Sequence, residues 1–75
     1  MNFVRLAFLL DKYGVRLSMD QLADAMGLAT NTIYNKVASG KLRVPTYLDD
    51  GKRWADAVAV ASYLDEMAKS ATIQA

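Results

Sequence analysis

Leu22-Ala23-Asp24-Ala25-Met26-Gly27-Leu28-Ala29-Thr30-Asn31-Thr32-Ile33 writes a helix, a turn and the start of a second helix into twelve residues. Two helices that cross steeply within so short a turn need particular residues at particular places. Ala23 is small where the second helix must pass over the first. Gly27 can take positive φ without a Cβ clash. Leu22, Met26, Leu28, Ile33 and Val37 are then expected to form the wedge of core between the helices. With those inward, the second helix is left with Thr30, Asn31, Thr32, Tyr34, Asn35 and Lys36 outside. That outward set is rich in hydrogen-bonding groups and contains no acid. Asn pairs bidentately with adenine, Thr offers a hydroxyl or a methyl, and Lys reaches guanine or phosphate. The pattern predicts a helix-turn-helix over residues 18–39 with a second helix suited to the DNA major groove.

Upstream, Ser18-Met19-Asp20-Gln21 reads as a capping box, with the Ser18 hydroxyl and the Gln21 amide satisfying each other's backbone N–H groups. Asp20 in that first turn suits the helix dipole. Before it, Phe3, Leu6, Ala7, Leu10 and Tyr13 recur at three- and four-residue steps, which predicts an amphipathic helix over residues 2–13, ended by Gly14. Downstream, Ser39-Gly40 closes the second helix. The run Val44-Pro45-Thr46-Tyr47-Leu48, the turn Asp49-Asp50-Gly51-Lys52 and a returning Arg53-Trp54 predict a small hairpin over residues 42–54. Trp54 is expected as a core anchor beneath it, because a buried Trp dominates the energetics of a small core. Asp56 can cap a final helix of about residues 57–68, whose apolar positions cover more than one stripe, and residues 70–75 read as a frayed tail. The chain reads as one domain, mainly α.

Composition narrows the chemistry. The 75 residues contain no Cys and no His, which removes disulfides, thiolate nucleophiles, imidazole bases and nearly every zinc site. No metal or cofactor is expected. Asp49-Asp50 has no base or nucleophile beside it and reads as turn chemistry, so no catalytic residue is assigned and an enzyme is not expected. The apolar run from Phe3 to Leu10 is interrupted by Arg5 and is too short to span a bilayer, and it lacks a small-residue cleavage site. No membrane and no small-molecule substrate are expected, and a cytoplasmic location fits.

The net charge of +1 hides an uneven distribution. Residues 30–54 set Lys36, Lys41, Arg43, Lys52 and Arg53 against Asp49 and Asp50, a local charge of +3. Residues 55–75 carry −2 and residues 1–29 balance. A basic stretch in the middle of the chain is the footprint that a nucleic-acid contact leaves, although a solvated face has the same composition. Lys52 and Arg53 are expected to touch DNA because they accompany the two-helix pattern. Lys41 and Arg43 are expected near phosphate, and Tyr34 either touches phosphate or packs on the hairpin.

The order Thr32-Ile33-Tyr34, Val37, Gly40-Lys41-Leu42, Pro45, Lys52-Arg53-Trp54 and a capped helix ending Tyr63-Leu64 resembles the AlpA-type and excisionase-type small winged helix-turn-helix proteins of phages and prophages, relatives of the MerR DNA-binding domain. The resemblance spans about residues 17–65. Phe8-Leu9-Leu10 with Tyr13, the Gly40-to-Pro45 spacing and Tyr63-Leu64-Asp65 are also similar, more loosely, to the pyocin-activator family of prophage regulators. The likeness implies a small winged helix-turn-helix of three to four helices plus a short β-hairpin wing. It implies a recognition helix from Thr30 to Lys36, and Lys52 and Arg53 on a wing against a neighbouring groove or phosphates. It implies binding of double-stranded DNA in a bacterial host cell, as an excisionase-like architectural factor or a transcription regulator.

The chain departs from the family pattern in three respects. Ala29 stands where a Ser cap is common, which moves the expected cap to Thr30. Lys36 stands where an apolar residue is usual, and its stem is expected to snorkel across the core edge. Basic residues common early in the recognition helix are replaced by Thr30, Asn31 and Asn35, which implies modest affinity for a monomer and pairing as a homodimer or cooperative array on DNA. The N-terminal helix has two roles open to it, covering the core and forming that homodimer. The rival reading is a non-catalytic protein-interaction module that binds another protein through the apolar N-terminal helix.

Overall fold

Ser18 and Asp56 are each the last residue of a strand and the cap of the helix that follows, so two helices leave one short sheet without a loop. The computed structural model describes residues 3–71; Asn2 of the expected first helix and residues 72–75 of the expected tail lie outside the described residues. The elements are α1 (Phe3–Lys12), β1 (Arg16–Ser18), α2 (Met19–Met26), α3 (Thr30–Ala38), β2 (Tyr47–Asp49), β3 (Lys52–Asp56) and α4 (Ala57–Ser70). The result is a small, mostly helical domain of four helices and a three-stranded antiparallel sheet in the order β1-β3-β2. No helix among the described residues is long and apolar enough to cross a membrane.

Local chemistry explains each boundary of α2. The Ser18 hydroxyl accepts from the Gln21 N–H at 3.2 Å, and the Gln21 side chain accepts from the Ser18 N–H at 2.9 Å. At the far end Gly27 sits at φ 70, and the Leu28 N–H reaches back to the Ala23 carbonyl at 2.9 Å. This is a Schellman closure, which only a residue tolerant of positive φ completes cheaply. It also corrects one expectation. Leu28 is not part of the wedge: the left-handed turn carries it outward, where it is 37% exposed. Leu22 and Ile33 fill the wedge as fully buried side chains, with Met26 and Val37 half-buried beside them.

The sheet differs from the expected two-stranded hairpin. Its third strand, β1, pairs Arg16 with Asp56, Leu17 with Ala55 and Ser18 with Trp54. Leu17 and Ala55 share the inner face and are fully buried. Alternation along β3 puts Trp54 on the opposite face, half-buried, and this corrects its expected role as a core anchor. The hairpin is also shorter than residues 42–54 at its start. Pro45 cannot donate to a ladder, so β2 begins only at Tyr47, and Val44 is buried in the core instead. At the other end α4 runs to Ser70 rather than 68, with the Ser70 hydroxyl donating to the carbonyls of Glu66 and Met67.

The largest fully buried side chains are Leu17, Leu22, Ile33 and Val60, one each from β1, α2, α3 and α4. Each contributes about 1.5–3 kcal/mol of hydrophobic burial. Polar ties fasten α1 to this core: Arg5 bonds Asp65 of α4 at 2.8 Å, and the Tyr13 hydroxyl donates to Asp24 of α2. Lys12 lies 3.4 Å from the same Asp24 carboxylate. The Tyr13 hydrogen bond first, and the Lys12 charge second, hold the Asp24 carboxyl below the usual carboxylate range.

The cap of α3 is a further correction. Ala29, not Thr30, occupies the cap position, with φ −72 and ψ 148, and no side chain bonds the first-turn amides. Thr30 is already helical. Ala29→Ser therefore adds the missing acceptor and is expected to raise stability by about 1 kcal/mol in urea unfolding. Asp24 supplies a prediction of opposite kind. Its contribution is complete above the ordinary carboxyl value and lost as pH falls through the lowered one. Tyr13→Phe is expected to move the Asp24 titration, followed by NMR of the side-chain carboxyl, upward toward the ordinary range.

Candidate nucleic-acid interface

The helix α3 buries Ile33 and turns the stripe Asn31, Tyr34, Asn35 and Ala38 into solvent. Thr30, Thr32 and Lys36 are half-buried on its flanks, so the outward set of six expected from the sequence divides into three exposed residues and three edge residues. Ala38 belongs to the exposed stripe and was not expected there. It offers a methyl and a close approach where a larger side chain would hold a surface away. No acid lies in the first turn of the helix.

The hairpin stands beside this stripe. Asp50 at φ 53 and Gly51 at φ 77 make the two-residue turn whose twist matches paired antiparallel strands. Between hairpin and helices lies a cleft of about 490 Å³. It is lined by Tyr34 of α3, by Leu48, Lys52, Arg53 and Trp54 of the hairpin, and by Ser18, Met19 and Asp20 where β1 passes into α2. A second hollow of about 280 Å³ brings Lys36 and Arg53 together with Thr46. The Arg53 guanidinium donates to the Thr46 hydroxyl at 2.8 Å, which spends one of its five donors on holding the approach to β2. Tyr34, Lys36, Lys52 and Arg53 are therefore gathered around one helix–hairpin junction. Asn31 and Asn35 lie on the exposed face of the same helix.

Lys41 and Arg43 are placed differently. Lys41 is exposed just past α3, where its N–H closes the helix on the Lys36 carbonyl at 2.8 Å around Gly40. Arg43 is set apart from the junction. Its guanidinium lies 5.9 Å from the Tyr63 ring and 4.0 Å from the Met67 sulfur, both on α4.

Sequence reading gave no role to Arg16. Its guanidinium stacks 4.0 Å from the Trp54 ring and donates to Asp49 at 2.7 Å. Strand alternation puts Arg16, Trp54 and Asp49 on one face of the sheet, so a residue of β1 bridges over β3 to the tip of β2. The Asp49 carboxylate at the hairpin tip is thereby paired. The Trp54 indole N–H is buried, with no hydrogen-bond partner among the described residues. No signal in the linear sequence marks the triad, because its other two members lie 33 and 38 positions from Arg16 and meet it only through the register of two strand pairs.

Comparison with known proteins finds no match: no family model, curated protein or solved structure aligns significantly with the chain.

The stack over Trp54 braces the hairpin against β1. Removing it by Arg16→Ala is expected to speed amide hydrogen exchange in β2 and β3 by roughly two- to five-fold, the scale of an exposed cation–π contact. Exchange in α2 and α3 is expected to stay within error.

Proposed function

We propose that this chain is a sequence-specific double-stranded DNA-binding protein of the small winged helix-turn-helix type, without catalysis. The observation that carries the reading is the junction itself: an acid-free polar stripe on α3 beside a cleft that gathers Tyr34, Lys52 and Arg53, with Lys36 in the adjoining hollow. In this reading α3 enters the major groove. Asn31 and Asn35 read base edges, and Thr30, Thr32 and Lys36 act from the flanks of the helix on neighbouring bases and phosphates. Ala38 permits close approach. Tyr34, Lys41, Lys52 and Arg53 contact the backbone, with the hairpin as wing. Arg43, turned toward α4, is left out of that set.

The electrostatics support the division of labour. The cations of the junction belong to the basic stretch of residues 30–54. Asp49 at its edge is paired with Arg16, and Asp50 is carried at the tip of the turn, so the flank of the wing rather than its tip approaches phosphate. Affinity on such a surface comes from counterion release, and discrimination from the few base-reading side chains. The resemblance to phage and prophage regulators extends the proposal to a role as transcription regulator or excisionase-like architectural factor in the bacterial cytoplasm. A second reading, a protein-interaction module, is favoured by one observation only, the apolar outer face of α1.

A DNA titration at two salt concentrations tests the proposal, with the promoter and attachment regions beside the gene as probes against random duplex. Steep loss of affinity with salt and preference for one probe are expected; folded protein that binds no probe at low salt overturns the reading. Asn31→Ala and Asn35→Ala are each expected to reduce discrimination by about 1–3 kcal/mol per lost base contact. Lys52→Ala is expected to weaken all sequences alike and lower the salt slope by about one.

A further inference from the structure

The first helix is apolar on the side it turns away from its own protein. Its inner side is accounted for: Leu9 is buried, Leu6 and Tyr13 pack against the core, and Arg5 is tied to Asp65; Lys12, exposed at the edge, pairs with Asp24 and lies 5.9 Å from the Phe8 ring. At about 100° per residue, Phe3, Val4, Ala7, Phe8, Leu10 and Asp11 form the outward stripe, and all of them are exposed. Only Asp11 among them is charged. Phe3 is 74% and Phe8 63% exposed. A helix that is apolar all round belongs in an interior, and α1 has an interior on one side only.

We propose that this stripe is the contact between two copies of the chain, with α1 packed antiparallel on α1 about a two-fold axis beside Ala7. Ala7 lies near the middle of the stripe and is small enough for two helices to approach closely. Antiparallel pairing centred there sets Asp11 beside the start of the partner's α1. That first turn carries no acid of its own, so the carboxylate meets the positive end of the partner's helix dipole. The same pairing brings Leu10 against the partner's Val4. It also brings the partner's Phe8 to the edge of a hollow of about 280 Å³ whose own wall includes Val4, Arg5, Phe8 and Leu9 of α1, with Ala25 of α2 and Leu64 of α4. A cavity of roughly 150 Å³ is enough to hold a benzene ring.

Area decides how strong the dimer is. Aromatic side chains bury roughly 150–250 Å² each, so the stripe offers on the order of 450 Å² per copy. The total of about 900 Å² falls just short of the roughly 1,000 Å² a stable interface needs. The dimer is therefore weak in free solution and forms as concentration rises. A membrane surface is a poorer occupant. An interfacial helix needs basic residues available to anionic lipid, and Arg5 and Lys12 are both engaged in ion pairs.

Sedimentation velocity of the full chain without DNA, from roughly 10 μM to 1 mM, tests the inference independently of the DNA reading. The mass is expected to rise from one chain to two across that range. Phe8→Glu is expected to remain monomeric throughout with an unchanged circular dichroism spectrum. Leu48→Glu, which removes an equally exposed apolar residue from the hairpin, is expected to associate like the unaltered chain. Because the sequence has no Cys, Ala7→Cys is expected to cross-link into a disulfide dimer under mild oxidation, and Ser39→Cys is not. An unaltered chain that stays monomeric at the highest concentration overturns the proposal. So does Phe8→Glu dimerising normally, or a monomer that co-sediments with anionic vesicles.

Discussion

The three-residue ladder between β1 and β3 is the contact on which the rest of the structure depends. It seats Leu17 against Ala55 in the core and ends, at its two opposite corners, in the caps of α2 and α4. Antiparallel pairing puts Ser18 level with Trp54 and Asp56 level with Arg16, so α2 and α4 depart from opposite ends of the same ladder. The Ala57 N–H extends the ladder by one more bond, to the Val15 carbonyl at 3.0 Å. The direction of α2, and of α3 after it, is thereby set relative to the hairpin by backbone hydrogen bonds. A flexible loop at either corner would let α3 and the hairpin drift, and the cleft between Tyr34 and Arg53 would have no fixed width.

Charge is arranged to the same end. Among the described residues the ion pairs are Arg5–Asp65, Lys12–Asp24 and Arg16–Asp49. In each, a cation from the first sixteen residues covers an acid carried by α4, α2 or the hairpin. None of the three uses a cation from residues 30–54. In this way three of the acids are paired on the α1 side and at the sheet, while Lys36, Lys41 and Lys52 enter none of these ion pairs. Exposed pairs of this kind add little stability individually. Their consequence lies in where the positive potential is left.

Much of this was legible in the sequence wherever the deciding chemistry is local. The Ser18–Gln21 box, Gly27, the Asp50-Gly51 turn and the Asp56 cap each depend on residues within a few positions of one another. Leu17 was not legible, because a three-residue strand has no period to read and its burial is conferred by Ala55, far along the chain. Trp54 failed for a related reason. Its size argues for the core, but the register of β3 assigns that face to Ala55 and leaves Trp54 beneath an arginine. The partition of α3 into an exposed stripe and half-buried flanks depended on how far α2 and the hairpin wrap around it. The list of polar residues could not disclose that.

Ala29 shows stability and the proposed activity pulling against each other at one position. A side-chain cap there would occupy first-turn amides of α3 and steady the helix. Without it, the Thr32 and Ile33 N–H groups bond the Ala29 carbonyl at 3.0 and 3.3 Å, and the Thr30 and Asn31 N–H groups carry no side-chain cap. Helix-start amides of this kind are what phosphate oxygens seek. Early cations are absent from α3, so on the DNA reading these amides supply the positive end that Arg or Lys would otherwise provide. The helix then completes its own cap only when the duplex is present. The less the helix is satisfied alone, the more of its ordering is drawn from the contact with DNA, and the more an uncapped alanine at this position makes sense.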